Sequence, residues 1–346
     1  MFNESRMVGI DIDPNLIQYR TQDELISFLE TFDSATTETI GATREGQPMV
    51  GVSFGTGPTS VSIIAGSHAD EPIGPMTAQL LYPVVQTHFP EFLEQFTFRV
   101  IPQMNPDGAD RNRKWFSDPI EMDAFLNNVI REKPGDDIEF GFGTVGDERP
   151  ECQAMMSFLE KGGPYGAHFS LHGLGFAEGA WCLVCKEWAE KGKRYMDAFT
   201  SFCNLIGFPQ HDIDRKGDKG FVRLGKGYTT TPHSEPMKEY FMGLNDPETA
   251  AKFKPSSMQF VQSLGGDPLC IVSELPLFHI GVPSKSLDDL STTQFKSALT
   301  EVRALHSKLR AEDLAPIVEK FKLKPTPIAL QVKLQLAMIF LGISNI

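Results

Sequence analysis

The sequence predicts a single α/β sandwich. Apolar, strand-like runs alternate with amphipathic helical segments along most of the chain, an order that favours one mixed domain over segregated ones. With 346 residues, 41 % of them apolar and 22 % charged, the chain has the size and composition to bury a large core. No internal repeat or low-complexity segment breaks the pattern.

The elements follow in order. Residues 22–33 carry Leu25, Ile26, Phe28, Leu29 and Phe32 at helical spacing, and Thr21 with Glu24 three residues later reads as a capping box. Residues 49–55 and 60–66 read as two strands joined in a hairpin by the Gly-Thr-Gly-Pro turn at 55–58. The second strand runs straight into Ser67-His68-Ala69-Asp70-Glu71. Pro72 then opens a helix that continues over 75–89 with a kink at Pro83. A strand at 96–103 ends in the turn tetrapeptide Asn105-Pro106-Asp107-Gly108. The polar stretch 109–150 reads as a long functional loop around one short helix.

Beyond it, 149–161 is helical, 166–173 and 180–185 are strands, and 188–207 is an amphipathic helix closed by Gly207. Residues 208–236 are polar and Gly-rich, 267–275 a buried strand and 291–310 the last clear helix. In the tail Leu330, Val332, Leu334 and Leu336 alternate with polar residues. That pattern fits a strand at a sheet edge or an oligomer contact, with helix as the alternative.

Charge and cysteine usage narrow the class. Against 32 Lys and Arg stand 45 Asp and Glu, a formal net charge of −13, which argues against nucleic-acid binding through basic patches. Five cysteines do not make a disulfide framework, and the Cys182–Cys185 pair lies inside an apolar strand, so it reads as core packing. The N-terminal residues lack the order of a signal peptide, and no run approaches the roughly 20 apolar residues of a membrane span. The expectation is a soluble, cytoplasmic protein with no membrane partner.

His68 and Glu71 stand at the carboxyl end of a strand, where open α/β sheets place their sites. An imidazole and a carboxylate at one strand-to-helix turn suit zinc, although a His and an acid near a helix start are also common structural features. His172, at the end of a second strand, is a candidate third ligand or a structural histidine. Glu274 closes the apolar run Leu269–Ser273; it reads as a catalytic acid or as a salt-bridged strand end, since an unpaired carboxylate there is expensive.

Taken together these residues resemble the zinc carboxypeptidases. The likeness covers most of residues 18–280 through the phrase Ile40-Gly41-Ala42-Thr43-Arg44-Glu45-Gly46-Gln47-Pro48-Met49, then Gly66-Ser67-His68-Ala69-Asp70-Glu71, Asn105-Pro106-Asp107-Gly108, Ser170-Leu171-His172 and Ser273-Glu274-Leu275. The resemblance implies a three-layer α/β/α sandwich around a mixed, roughly eight-stranded sheet, with a catalytic domain over 1–310 and a C-terminal extension over 311–346 packing on the domain or on an oligomer partner. It implies one zinc per chain on His68, Glu71 and His172, Glu274 as general base and Arg113 as oxyanion stabiliser with Arg111 in reserve. The implied activity is hydrolysis of a peptide or small amide. An N-acyl amino acid deacylase on the same fold and a catalytically silent binding protein are the alternatives, while the lack of a GxSxG elbow sets aside a serine hydrolase.

Two departures bear on substrate. The family's Asn-Arg pair, which grips a terminal carboxylate, falls on Glu139-Phe140, and Asp70 stands where pancreatic-type members carry Arg. Asp70, Asn105, Arg111 and Glu139 are the residues expected around the substrate. The two acids suggest a pocket that prefers a neutral or cationic group. No substrate-capping tyrosine can be fixed by alignment; the position falls near Lys252–Phe253, with Tyr228 and Tyr240 on the polar stretch within reach.

Overall fold

Strand β3 (Thr59–Ala65) shows how a seven-residue run positions three layers. Its alternating side chains divide between faces: Val61, Ile63 and Ala65 join one apolar cluster and Ile64 another. Helices Ile73–Ala78, Leu81–His88, Lys193–Ile206 and Ile328–Ile343 belong to the first face; helices Pro150–Glu160 and Ser257–Ser263 cover the second. The computed structural model describes residues 4–133, 138–143, 149–281, 318–319 and 321–346. The helix expected over 291–310 and the boundary drawn at 310 lie outside the described residues.

Ten strands are found among the described residues, against the roughly eight expected. The others are β1 (Thr36–Ala42), β2 (Pro48–Phe54), β4 (Phe96–Ile101), β5 (Tyr165–Ala177), β6 (Trp181–Val184), β7 (Arg223–Gly225), β8 (Tyr228–Thr230), β9 (Leu269–His279) and β10 (Lys324–Pro325). Their order is β1-β2-β4-β3-β5-β9-β6-β8-β7, with β10 beside β9. The centre, β4-β3-β5-β9, is parallel; the flanking pairs β1-β2, β2-β4, β6-β9 and β7-β8 are antiparallel. The strands not placed from the sequence are β1, then β7 and β8 in the 208–236 stretch, and β10 before the tail helix.

The helix at Gln22–Leu29 begins as expected, with Thr21 and Glu24 making both bonds of the capping box. The hairpin expected between β2 and β3 is not formed, because β4 lies between them. The Gly-Thr-Gly-Pro segment instead crosses the start of β4. A Cβ on Gly57 would stand 1.9 Å from the Gln95 carbonyl carbon, so glycine there permits the crossing. The helix after Pro72 is broken rather than kinked: it ends at Ala78 and resumes at Leu81. Pro83 lacks the N–H that would bond Gln79, and its ring crowds that carbonyl.

The tail is helical. Gln331 and Gln335, which set the apparent alternation, are fully buried with Val332, Leu334 and Leu336, so the segment is a mostly buried helix rather than a half-exposed strand. Gln335 ties this helix to the functional edge: its Nε2 donates to the His172 carbonyl and to Ser273 Oγ, both at 3.0 Å, and its Oε1 accepts from Thr77 Oγ1 at 2.6 Å. Replacing Gln335 with Leu leaves those buried groups short of partners, which costs about 3 kcal/mol at 1–3 per unsatisfied group. Equilibrium urea denaturation should show that loss as a lower midpoint with an unchanged slope. No helix among the described residues is long and apolar enough to cross a membrane.

Candidate metal centre

The sheet register brings the site together. His172 on β5 lies beside Glu274 on β9 in a parallel pairing, and Glu274 faces Trp181 on β6 in an antiparallel one. Strand β3 stops at Ala65, paired with Leu171. The chain leaving it turns across the middle of β5, where Gly173 N donates to Glu71 Oε2 at 3.2 Å and Glu71 N donates to the His68 carbonyl at 3.2 Å. The Asn105–Gly108 turn buttresses that crossing. A Cβ on Gly108 would lie 2.7 Å from Ala69 Cβ, so this motif acts by letting a helix start pass close behind the His68–Glu71 loop.

His68, Glu71 and His172 converge, with one donor atom of each within 4.8 Å of the others. The two Nδ1 atoms stand 3.2 Å apart. Glu71 reaches both rings, Oε1 at 2.9 Å from His68 Nδ1 and Oε2 at 3.0 Å from His172 Nδ1. Two ring nitrogens and a carboxylate facing one point are the donor set of a catalytic zinc with one position left open. Donors about 2.0–2.1 Å from a tetrahedral zinc stand about 3.3 Å apart, close to the separations seen here. The residues therefore fit the ion.

The outer nitrogen of His172 is equally well defined. Ser170 Oγ, Ser67 Oγ and Glu139 Oε2 lie 2.9, 3.0 and 3.0 Å from Nε2. The two hydroxyls hold the proton on Nε2 and leave the Nδ1 lone pair to the metal, while Glu139 Oε2, at ion-pair distance but without a hydrogen bond among the described residues, acts through its charge. Burial works against a charge on His172, but Glu139 and Glu71 prevail and raise its pKa well above the usual histidine value. Glu139→Ala should weaken zinc affinity roughly 10–100-fold, the scale for a lost outer carboxylate. Competition with a chromophoric chelator measures this directly, and the metal-free protein should also lose thermal stability because His172 loses a buried ion-pair partner.

Glu274 is partly exposed and stands where two chambers meet. Burial pushes its carboxyl up to about 8, and the charge of Glu71 adds to the rise. Its Oε2 is buried and finds no hydrogen-bond partner among the described residues, so of the two readings the sequence left open, the salt-bridged strand end is not what surrounds it. One chamber of about 490 Å³ is lined by Asp70, Phe125, Leu174, Trp181 and Arg215. The other, of about 290 Å³, is lined by His68 and His172 together with Phe140, Leu183, Phe241 and Phe253. Arg131, Phe221 and Glu274 line both.

Several expected substrate residues are engaged elsewhere. Arg113 bonds Asp110 at 2.8 Å and the Tyr19 and Arg20 carbonyls. Arg111 pairs with Glu45 on the surface. Neither lines a chamber. Asn105 caps its own helix through Gly108 N and donates to Glu132 at 2.9 Å. Asp70 is ion-paired to Arg131 at 2.8 Å, and Glu139 is spent on His172, so the negative pocket inferred from those two acids is not formed. The arginine at the site is Arg131, whose Nη1 lies 2.6 Å from Glu71 Oε1 and whose Nη2 lies 3.1 Å from His68 Nδ1. Its only sequence signal is its place eight residues before Glu139. The Tyr228 hydroxyl, one candidate cap, bonds the Met196 carbonyl; it is Phe253, from the aligned position, that lines the smaller chamber.

The chain's likenesses agree with this geometry. A family model described as zinc carboxypeptidase matches residues 25–178, a span holding His68, Glu71 and His172 but ending before Glu274. Among curated proteins none matches. Bovine thrombin-activatable fibrinolysis inhibitor, solved with tick carboxypeptidase inhibitor, superposes with a TM-score of 0.51 at 16 % identity over 85 % of this chain and 99 % of that one. A candidate metallopeptidase of Shewanella amazonensis gives 0.52 at 11 % identity, covering 93 % and 91 %. At such identities the solved structures speak for the fold alone.

Proposed function

We propose, from the match of residues 25–178 to the zinc carboxypeptidase family model, that this protein is a zinc-dependent hydrolase of a peptide or amide bond. The observation that carries the reading is the convergence of His68, Glu71 and His172 on one point, one residue pairing away from a carboxylate oxygen without a partner. Zinc, when bound there, supplies a Lewis acid for the scissile carbonyl and makes water a competent nucleophile near neutral pH. Glu274 takes the proton of the attacking water and returns it to the leaving nitrogen, a role its raised pKa suits. Arg131, shared by both chambers, faces the negative charge that develops on the carbonyl oxygen. Its ion pairs with Asp70 and Glu71 hold it in place beforehand.

The chambers lie on either side of Glu274, so the substrate extends in both directions from the bond cleaved. A library of peptides and N-acyl amino acids, read by mass spectrometry alongside zinc content, tests the proposal. Stoichiometric zinc with cleavage that stops on chelation supports it; zinc-free protein, or cleavage indifferent to chelator, overturns it.

A further inference from the structure

Two cysteines meet where the β6–β9 ladder parts, at the other end from its Trp181–Glu274 pair. The last regular pair is Val184–Ile271, and one step beyond it Cys185 N donates to the Cys270 carbonyl at 2.9 Å. The return bond is not regular. Cys270 N donates to Cys185 Sγ at 3.3 Å, while the Cys185 carbonyl accepts from Trp188 N at 2.9 Å. The two sulfurs also converge on one atom: Cys185 Sγ and Cys270 Sγ stand 3.7 and 3.6 Å from the Pro268 carbonyl oxygen, and the Cys270 thiol donates to Cys185. Residues paired across an antiparallel ladder have Cα atoms about 4.5–5.5 Å apart, inside the roughly 4.4–6.8 Å that a disulfide spans.

The pair is chemically unequal. The hydrogen bond from the Cys270 thiol holds Cys185 below the usual thiol pKa against the cost of burial, with help from the Cys270 and Trp188 N–H groups, whereas burial drives Cys270 well above it. Cys185 is thus poised as the thiolate, the form that reacts with oxidants. Cys182, its nearer neighbour in sequence, faces elsewhere. The Cys182 sulfur accepts from the Tyr195 hydroxyl at 3.6 Å in the cluster that holds Cys203, and burial raises its thiol to about 12. Cys185 and Cys270 are both buried, but their cover is thin. The single turn Lys186–Trp188 that follows Cys185 has Lys186 and Glu187 exposed and Trp188 half-buried against the pair. A local opening of that turn admits a molecule of about the size of water.

We propose that Cys185 and Cys270 are a redox-active pair that hydrogen peroxide converts to a disulfide joining β6 to β9. The Cys185 thiolate attacks one peroxide oxygen, the O–O bond breaks, and Cys185 becomes a sulfenic acid. The hydroxide that leaves takes up the proton Cys185 had released. The Cys270 sulfur then attacks the Cys185 sulfur, the S–O bond breaks, and the departing hydroxide leaves as water with the Cys270 proton. Over both steps two thiols give up two electrons and two protons, and the peroxide becomes two waters. A thiol reductant reverses the link by exchange. The bridge ties the strand that carries Trp181 to the strand that carries Glu274, two residues lining the larger chamber, and it forms whether or not that chamber belongs to a hydrolase.

The test treats the folded full chain with a small excess of hydrogen peroxide and maps the products by mass spectrometry after digestion without reductant. The wild type should yield a peptide pair linked through Cys185 and Cys270, with two of its five thiols lost and both restored by dithiothreitol. Cys185 should lose its thiol at least about tenfold faster than Cys182 or Cys203, because the thiolate is the reacting form. In Cys270→Ser, Cys185 should stop at the sulfenic acid and take up dimedone; in Cys185→Ser, Cys270 should stay reduced. A wild type in which Cys185 remains a thiol, links to Cys182, or reacts no faster than Cys182 and Cys203 would overturn the proposal, and that map requires no variant to fold. Every arm is read on sulfur, so failure here leaves the hydrolase reading untouched.

Discussion

Glu274→Gln should keep zinc and fold while losing roughly 10²–10⁴ or more in turnover, the contribution of a well-placed general base. Glutamine is nearly isosteric, and the site already leaves Glu274 Oε2 without a hydrogen-bond partner among the described residues, so the substitution breaks no visible bond at that atom. What it removes is a proton acceptor. The pH profile supplies a second readout. Glu274 acts as a base only when ionised, and burial with the neighbouring Glu71 raises its pKa to about 8, so turnover falls as pH drops through that pKa. A bound dication stabilises the ionised form and moves the acid limb to lower pH. The residual activity of Glu274→Gln should lack that limb. Near-normal turnover on any confirmed substrate would remove Glu274 from the role.

The end of β3 was the most legible part of this site. Strand β5 carries His168 and His172 four residues apart, hence on one face, and composition alone cannot choose between them. Position chooses. His168 pairs with Ser62 in mid-sheet and is bonded by Ser62 and Ser257, with burial lowering its pKa to about 4. His172 lies just beyond the end of β3, where the His68–Glu71 loop crosses. His172 and Glu274, expected at strand ends, lie within their own strands: β5 continues to Ala177 and β9 to His279, and the apolar run located only the place where β3 stops.

The arginines were not readable in that way. Arg111 and Arg113 are near the Asn105–Gly108 turn in sequence, but the helix Pro106–Asn112 carries them toward Glu45 and Asp110 and away from the chambers. Arg131 arrives from a segment whose placement depends on long-range charge pairing with Asp70 and Glu71, which no local pattern encodes. The same limit explains β2 and β3. Two strands separated by a Gly-rich turn look like a hairpin until a third strand, from 96–101, claims the space between them. In the tail, buried glutamines imitated the polar face of a strand, and only their partners, Thr77, His172 and Ser273 for Gln335 and the Thr326 carbonyl for Gln331, reveal why they face inward.

His172→Ala should strip zinc from the protein. Glu71 already serves both neighbouring rings, so the remaining pair, His68 and Glu71, offers two ligands where a catalytic zinc takes three. The loss extends beyond one bond. His172 is the point at which Glu139, Ser67 and Ser170 act on the centre; without the ring, Glu139 is a buried carboxylate with its ion pair removed, which costs stability as well as affinity. His172→Gln retains bulk and a polar end but no imidazole, and it should bind zinc far more weakly than wild type while unfolding closer to the wild-type midpoint than the alanine variant. Dialysis against buffer followed by metal analysis, with denaturation curves on the same samples, separates the two effects. Zinc retained at one per chain in both variants would take His172 out of the metal site, and with it the convergence on which the hydrolase reading stands.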